Sequence, residues 1–229
     1  MSSAIILSIG SSWDLKMTKI AIGLDFDGTL VSCWPKQLSC LRTAARLLGL
    51  ELQVNRIYND KRNGMNNRTA LSRQNISADH ISKIDEFWMD NIEDQKFLNY
   101  DIIFPGYTDM ISYLQSKCDL HLISARSHPN NLIRQIEQLR ISKSFKTINV
   151  VSPSKSSKQK AAIIEELGLK TYVGDTESDF EACKLAKARA MLVHSGQRSP
   201  HYLLEKCGVS AYPNFFSLAA EVIDVKHGR

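Results

Sequence analysis

The sequence has no apolar run that approaches the length needed to span a bilayer, so no membrane partner is predicted. The short apolar run at residues 4–7 follows no basic segment and precedes no obvious cleavage site, which argues against a signal peptide. The five cysteines are odd in number and form no Cys-x-x-Cys pair. Free thiols in a reducing compartment are the simplest account, and we therefore expect a cytoplasmic protein.

A concentrated charge of one sign is also missing. The formal charge of +5 is spread over the chain without a basic stripe interleaved with aromatics, so nucleic acid is not predicted as a partner. The 229 residues are 43% hydrophobic and 23% charged, which is typical of a soluble globular protein. This length fits one large domain or a domain that carries an insertion, and it leaves the oligomeric state open.

The most informative stretch is Asp25-x-Asp27-Gly28-Thr29, directly after the apolar run at residues 19–24. Side chains two residues apart on a strand point to the same side, so the two aspartates project together from the strand end. Gly28 permits a sharp turn of the backbone there. Two like charges at this range repel each other unless a cation or a shared proton relieves them.

The pattern then becomes helical for about seventy residues. Apolar residues such as Leu41, Ala45, Ile81 and Ile84 recur at three- and four-residue spacing, and no strand signal interrupts them. We therefore predict an α-helical cap at residues 33–103, inserted into a larger domain.

From residue 104 onward, strand and helix patterns alternate, which favours a parallel sheet with helices on both faces. The predicted fold class is α/β: a doubly wound, Rossmann-like parallel sheet core, formed by residues 18–32 and 104–229, with the inserted helical cap. Residues 1–17 are predicted to be an N-terminal extension. The predicted strands are 19–24, 119–124, 147–151, 171–174 and 189–193, and the predicted helices include 107–117, 161–167, 178–187 and 215–225.

Polar residues follow these apolar strands where each strand ends. Asp25 and Asp27 end the first strand, Ser124 ends the second, and Asp175 ends the fourth, with Asp179 four residues later. Ligands of such folds bind beyond the carboxyl ends of the strands. We therefore expect these side chains to converge on one rim of the sheet.

The chain resembles the haloacid dehalogenase superfamily, which is known by four short motifs. They correspond in order to Asp25-x-Asp27-Gly-Thr, Leu122-Ile123-Ser124, a lysine opening the helix before the last motif, and Gly174-Asp175-x-x-x-Asp179. The spacing leaves room for a helical cap between the first two motifs. The chain is thus similar to the capped phosphatase branch, which includes phosphoglycolate phosphatases and beta-phosphoglucomutases.

The resemblance implies a role for each motif residue. Asp25 is the expected nucleophile, which forms an aspartyl-phosphate, and Asp27 the expected general acid and base. The expected cofactor is Mg²⁺, held by the carboxylates of Asp25 and Asp175 and the backbone carbonyl of Asp27, with Asp179 supporting the metal site. Ser124 is expected to bind the phosphoryl oxygens.

Other interpretations of single residues stay open. Ser124 also fits a turn serine, and Asp179 also fits a helix capping box with Thr176. Arg126 is a candidate for phosphate binding, but a solvated loop arginine is an equal interpretation.

The lysine of the third motif has three candidates, because Lys155, Lys158 and Lys160 lie close together. Several relatives have apolar residues three and four positions after this lysine. Lys160 with Ile163 and Ile164 fits that pattern, and Lys158 is the second choice.

The polar segment at residues 62–69 joins helices of the predicted cap, and Gly64 permits a tight turn in it. In capped relatives a loop at this place reaches over the active site. By this resemblance Arg62 and Arg68 are candidates for binding the substrate, although a solvated loop position fits each equally well.

The predicted function is a magnesium-dependent phosphatase that hydrolyses a small phosphorylated metabolite. The aspartate at position 27 favours phosphate esters, because haloalkanoate dehalogenases lack an acid/base aspartate there. A phosphomutase of sugar phosphates is the alternative, since such enzymes share Asp-x-Asp-Gly. A catalytically silent binding module of the same fold is the alternative from another class.

Overall fold

The computed structural model describes residues 19–224. The predicted N-terminal extension, residues 1–17, lies outside the described residues, as does Val225 at the end of the last predicted helix. No helix within residues 19–224 is both long enough and apolar enough to cross a membrane.

Short elements alternate along the described chain. Up to residue 103 they are β1 (Ile20–Leu24), β2 (Val31–Ser32), α1 (Trp34–Leu47), α2 (Val54–Arg62), α3 (Asn67–Ser72), α4 (Ala78–Asn91), α5 (Gln95–Leu98) and β3 (Ile102–Ile103). From residue 104 they are α6 (Tyr107–Lys117), β4 (Cys118–Ala125), α7 (Pro129–Gln138), β5 (Thr147–Val151), α8 (Ser156–Glu166), β6 (Thr171–Gly174), α9 (Glu177–Leu185), β7 (Arg189–Leu192), α10 (Pro200–Cys207) and α11 (Phe215–Asp224), with short 3₁₀ helices at Ser142–Ser144 and Pro153–Lys155.

Five strands form one parallel sheet in the order β5-β4-β1-β6-β7. The strand order reverses around β1, which is therefore the central strand. Helices cover both faces, so the predicted doubly wound α/β class is confirmed. The carboxyl end of β1, where the Asp25 motif begins, lies at the middle of one edge of the sheet.

Alternate side chains of the strands enter two separate hydrophobic clusters, as the two-residue period of a strand requires. Leu120 and Leu122 of β4 pack with α6, α7 and α11 on one face, while Ile123 packs with α8 and α9 on the other.

The sheet also needs a glycine at its centre, at position 23. A Cβ at Gly23 would lie 2.5 Å from the Tyr172 ring of the neighbouring strand, so this position has no room for a side chain.

The helices α1 to α5 lie between the short antiparallel strands β2 and β3. They enclose a hydrophobic cluster of their own, formed by Leu41, Ala44, Ala45, Ile57, Ala70, Leu71, Ile81 and Ile84. All five helices fall within residues 33–103. The assignment of this segment as a cap domain with those boundaries stays a prediction.

Candidate active site

The loop after β1 is held tightly in place. The carbonyl of Phe26 accepts hydrogen bonds from the amides of Thr29, Leu30 and Val31, and the amide of Gly28 donates to Val31. Gly28 has a φ of 83° and a Cβ there would lie 2.1 Å from an Asp175 carboxylate oxygen. Glycine is therefore required both by the backbone conformation and by the close approach of Asp175.

Three buried carboxylates meet at this edge of the sheet. Ligand oxygens of Asp25, Asp175 and Asp179 lie within 4.8 Å of one another. The buried ammonium of Lys160 lies 2.9 Å from Asp25 Oδ1 and 2.6 Å from Asp179 Oδ1. Asp175 Oδ1 has no hydrogen-bond partner among the described residues. The cluster thus holds three carboxylates and one lysine, which contacts two of them. This oxygen-rich set with an unpaired acceptor fits a hard cation such as Mg²⁺.

The charges in this cluster shift one another's proton affinity. The pKa of Asp25 is raised to about 7, chiefly by burial and also by the Asp179 charge, although Lys160 lowers it. Burial and the charges of Asp179 and Asp25 hold the pKa of Asp175 well above its usual range. Burial lowers the pKa of Lys160, but the Asp179 and Asp25 charges outweigh it and raise the pKa. The cluster therefore binds protons or a cation more readily than exposed carboxylates do.

Asp179 also fixes the start of α9. Thr176 and Asp179 form a capping box, in which the Thr176 amide donates to Asp179 Oδ2 over 3.0 Å and the Asp179 amide donates to the Thr176 hydroxyl over 3.4 Å. The amide of Asp175 also donates to Asp179 Oδ2, over 3.2 Å. The capping interpretation is therefore correct, and the same carboxylate contacts Lys160 through its other oxygen.

The Asp27 side chain lies apart from the three carboxylates and is held by two cations. Arg126 donates from Nε and Nη2 to the two Asp27 oxygens over 2.6 and 2.8 Å, and Lys36 Nζ lies 3.1 Å from Oδ1. Burial raises the pKa of Asp27, but the Arg126 and Lys36 charges outweigh it and lower the pKa to about 2. The contact of Arg126 is thus with Asp27. Phosphate binding by Arg126 stays a prediction.

Ser124 and Lys160 line a cavity of about 410 Å³ together with Asp25 and Asp27. The Ser124 hydroxyl is buried and has no hydrogen-bond partner among the described residues. A buried hydroxyl without a partner costs free energy, so this atom is available to a ligand in the cavity.

The structure separates the three candidate lysines. Lys160 is buried and contacts Asp25, whereas the side chains of Lys155 and Lys158 are exposed near the start of α8. The geometry therefore favours Lys160 for the third motif.

The two candidate arginines of the segment at residues 62–69 also differ. Arg68 is exposed on α3, forms an ion pair with Asp85 over 2.8 Å, and is not among the residues that line the cavity. Arg62 donates to the backbone carbonyls of His194 over 2.7 Å and Gly196 over 3.0 Å. Arg62 therefore anchors the helical segment to the loop that follows β7.

Sequence reasoning missed this loop, although a Ser-Gly pair after a strand is a turn signal. A Cβ at Gly196 would lie 2.2 Å from an Asp175 oxygen, and the amide of Gln197 donates to that oxygen over 2.5 Å. The side chains of Gln197 and Arg198 line the cavity, and Arg198 forms an ion pair with Glu177. The loop therefore positions Asp175 and closes one side of the cavity.

The sequence was compared with protein families and with curated proteins. The sequence of residues 22–193 matches the family of haloacid dehalogenase-like hydrolases. Among curated proteins, none matches this chain.

Solved structures share the fold at low sequence identity. A haloacid dehalogenase-like hydrolase from Streptococcus pneumoniae is 18% identical with a TM-score of 0.71, over 91% of this chain and 99% of that one. A predicted phosphatase from Clostridium acetobutylicum is 16% identical with a TM-score of 0.68, over 90% and 99%. A predicted phosphoglycolate phosphatase from Haemophilus somnus is 14% identical with a TM-score of 0.63, over 93% and 100%.

Proposed function

Since the chain belongs to the haloacid dehalogenase-like hydrolase family, we propose that it is a magnesium-dependent phosphatase acting on a small phosphorylated metabolite. The observation that carries the proposal is the cluster of buried carboxylates of Asp25, Asp175 and Asp179 with Lys160, next to a cavity that Asp25, Lys160 and Ser124 line. The similarity to solved structures named as phosphatases supports the same reaction class.

The residues that would hold Mg²⁺ are Asp25, Asp175 and the backbone carbonyl of Asp27, with Asp179 supporting them. When bound, the ion offsets the negative charge of the phosphoryl group, which would otherwise repel a carboxylate nucleophile. The unpaired Asp175 Oδ1 and the excess of carboxylates over lysine support this assignment.

Asp25 is the proposed nucleophile. An Asp25 oxygen bonds to phosphorus and the bond from phosphorus to the leaving oxygen breaks. In this step Asp27 would act in its protonated form, give its proton to the leaving oxygen and become the anion. Lys160 orients the Asp25 carboxylate through Oδ1. Ser124 would donate its free hydroxyl hydrogen to a phosphoryl oxygen, next to the charge of Lys160.

Water then completes the reaction. Its oxygen bonds to phosphorus, the bond from phosphorus to Asp25 breaks, and Asp27 accepts the proton of the water, so that inorganic phosphate leaves. Without a substrate Asp27 is an anion at neutral pH, because Arg126 and Lys36 hold its pKa at about 2. A negatively charged phosphoryl group in the cavity would raise this pKa and favour the protonated form that the first step needs. The anion is the form that accepts a proton from water.

The helices α1 to α5 would act as the cap over this site and limit it to small substrates. Arg62 and Arg68 belong to the segment at residues 62–69, which would contact the part of the substrate beyond the phosphate. For both arginines this contact stays a prediction. All five cysteines are buried, and no disulfide joins any two of them within residues 19–224, which supports the proposed cytoplasmic location.

The test is release of inorganic phosphate from a panel of phosphorylated metabolites and p-nitrophenyl phosphate, with and without MgCl₂. The wild type should release phosphate only with the metal, and Asp25→Asn should release none while it still folds. Isomerised sugar phosphate without free phosphate would favour the phosphomutase. A protein that releases no phosphate and binds neither Mg²⁺ nor a beryllium fluoride analogue would be a silent binding module.

A further inference from the structure

The proposed acid/base residue Asp27 is part of a buried network of five residues, together with Lys36, Asp101, Arg126 and Gln135. Lys36 Nζ lies 3.1 Å from Asp27 Oδ1 and 2.7 Å from Asp101 Oδ2. Gln135 donates to Asp101 Oδ2 over 2.8 Å and accepts from Arg126 Nη2 over 3.2 Å. Arg126 closes the network on both Asp27 oxygens.

Burial increases with distance from the cavity. The Asp27 side chain is 15% exposed, Lys36 is 5% exposed, and Asp101 is fully buried at 0%. Asp27 lines the cavity, whereas Lys36, Arg126 and Asp101 do not. A substrate in the cavity therefore reaches Asp27, and the other members act on the reaction only through it.

Stability alone does not explain such a network. Taking two cations and two carboxylates out of water costs free energy that their pairing often fails to recover. Apolar side chains of similar volume often stabilise a fold at least equally. The network also leaves Asp101 Oδ1 and Arg126 Nη1 without hydrogen-bond partners among the described residues. Buried polar groups kept at this cost are typical of functional sites.

The network also touches both ends of the helical segment. Lys36 lies in the first turn of α1, where the chain enters the segment, and Asp101 follows α5, where the chain leaves it. Gln135 donates weakly to the carbonyl of Leu98 in α5 as well, over 3.4 Å. Asp101 thus joins the exit of the segment, through Lys36, to the carboxylate in the cavity.

We propose that Asp101 is a positioning residue for the reaction, which holds the Asp27 carboxylate in its working orientation through Lys36 and, by way of Gln135, through Arg126. The inference rests on the proposed phosphatase function, since it presumes that Asp27 transfers protons. It assigns a role to four residues outside the four motifs: Lys36, Asp101, Arg126 and Gln135.

Asp101→Asn keeps the side-chain shape but removes the charge that holds Lys36. The expected result is a fall in kcat of about tenfold, with KM for p-nitrophenyl phosphate changed less than about threefold, because Asp101 contacts no part of the substrate. Asp60→Asn is the matched control. Asp60 is a buried carboxylate in the helical segment that pairs with Arg73 over 2.9 Å, and its replacement should leave kcat within about twofold of the wild type.

The decisive measurement is a double-mutant cycle with Asp27→Asn. If Asp101 acts through Asp27, then Asp101→Asn should lower kcat no further, within about twofold, once Asp27 is already asparagine. A purely structural role would lower kcat by the same factor in both backgrounds. Equal factors would therefore overturn the proposal.

A second variant covers a failure of Asp101→Asn to fold. Gln135→Leu removes the hydrogen bonds to Asp101 and Arg126 with little change in volume, and about a threefold fall in kcat is expected only when Asp27 is present. If kcat is unchanged in both variants and the wild type releases phosphate, the positioning role of Asp101 is overturned and the proposed phosphatase function is upheld. A wild type that releases no phosphate from any substrate would overturn both.

Discussion

Replacing Asp25 by asparagine should abolish phosphate release and, in the metal-free protein, stabilise the fold. Asp25 is buried beside Asp179 and Asp175, and Lys160 offsets only part of the charge of this cluster. Asparagine has nearly the same volume and no charge. Lys160 keeps its partner Asp179 at 2.6 Å, so the substitution leaves no unpaired buried cation.

The pKa of Asp25 gives the size of the effect. It is raised in the folded state from 3.8 to about 7, chiefly by burial. Between these values the folded protein binds more protons than the unfolded chain, so its free energy of unfolding falls as the pH rises. At about 1.4 kcal/mol per pKa unit, ionised Asp25 destabilises the metal-free fold by about 4 kcal/mol above pH 7. The advantage of Asp25→Asn should grow from almost nothing near pH 4 to about this value at pH 8.

The assay is urea denaturation in EDTA at several pH values, repeated with MgCl₂. Mg²⁺ should raise the free energy of unfolding of the wild type more than that of the variant, since ligand binding to the folded state stabilises it. Asp85→Asn is the control, because it removes an exposed ion pair with Arg68 and should change the free energy of unfolding by less than about 1 kcal/mol. A variant that is less stable than the wild type at pH 8 in EDTA, or a difference independent of pH, would refute the reasoning.

Three further predictions use other residues. Asp175→Asn should raise the Mg²⁺ concentration for half-maximal phosphate release by about tenfold or more, and an unchanged metal titration would point to another ligand. Burial lowers the pKa of Lys61 to about 8, so Lys61→Met should be more stable than the wild type by up to about 3 kcal/mol at pH 7. This difference in the free energy of unfolding should shrink as the pH rises from 8 towards 10.5. A difference that stays constant over this pH range would contradict the prediction. Arg62→Ala should lower the free energy of unfolding in urea by about 2 kcal/mol and the exposed Arg68→Ala by less than about 1 kcal/mol, since only Arg62 of the two donates to partly buried backbone carbonyls. Equal losses would remove Arg62 as an anchor.

The strands of the sheet were predictable because each is a short apolar run between turn residues. Thr147–Val151 and Thr171–Gly174 have the predicted bounds, and so does the helix Tyr107–Lys117. The strands β2 and β3 have two residues each, which is too short to show a period. The helix α10 was missed, although its start carries a sequence signal: Ser199 caps it and Pro200 occupies its first turn.

The candidate site was predictable where topology dictates it. Strand ends of a parallel sheet meet at one edge, so Asp25 and Asp175 could be expected together from their positions after strands. The choice of Lys160 among three lysines depended on the rotation of α8, which a sequence pattern fixes only to within a residue or two. Lys36 and Asp101 were not predictable at all, because their contact joins residues 65 positions apart and neither lies in a recognisable motif.

The anchor of Arg62 has a consequence for the design of variants. Its two hydrogen bonds go to main-chain oxygens of His194 and Gly196, so they do not depend on which side chains the loop carries. The neighbouring Gln197 and Arg198 are among the residues that line the cavity. Both positions can therefore be randomised to search for new substrates with the anchor retained, provided that Gly196, which has no room for a Cβ, is left unchanged.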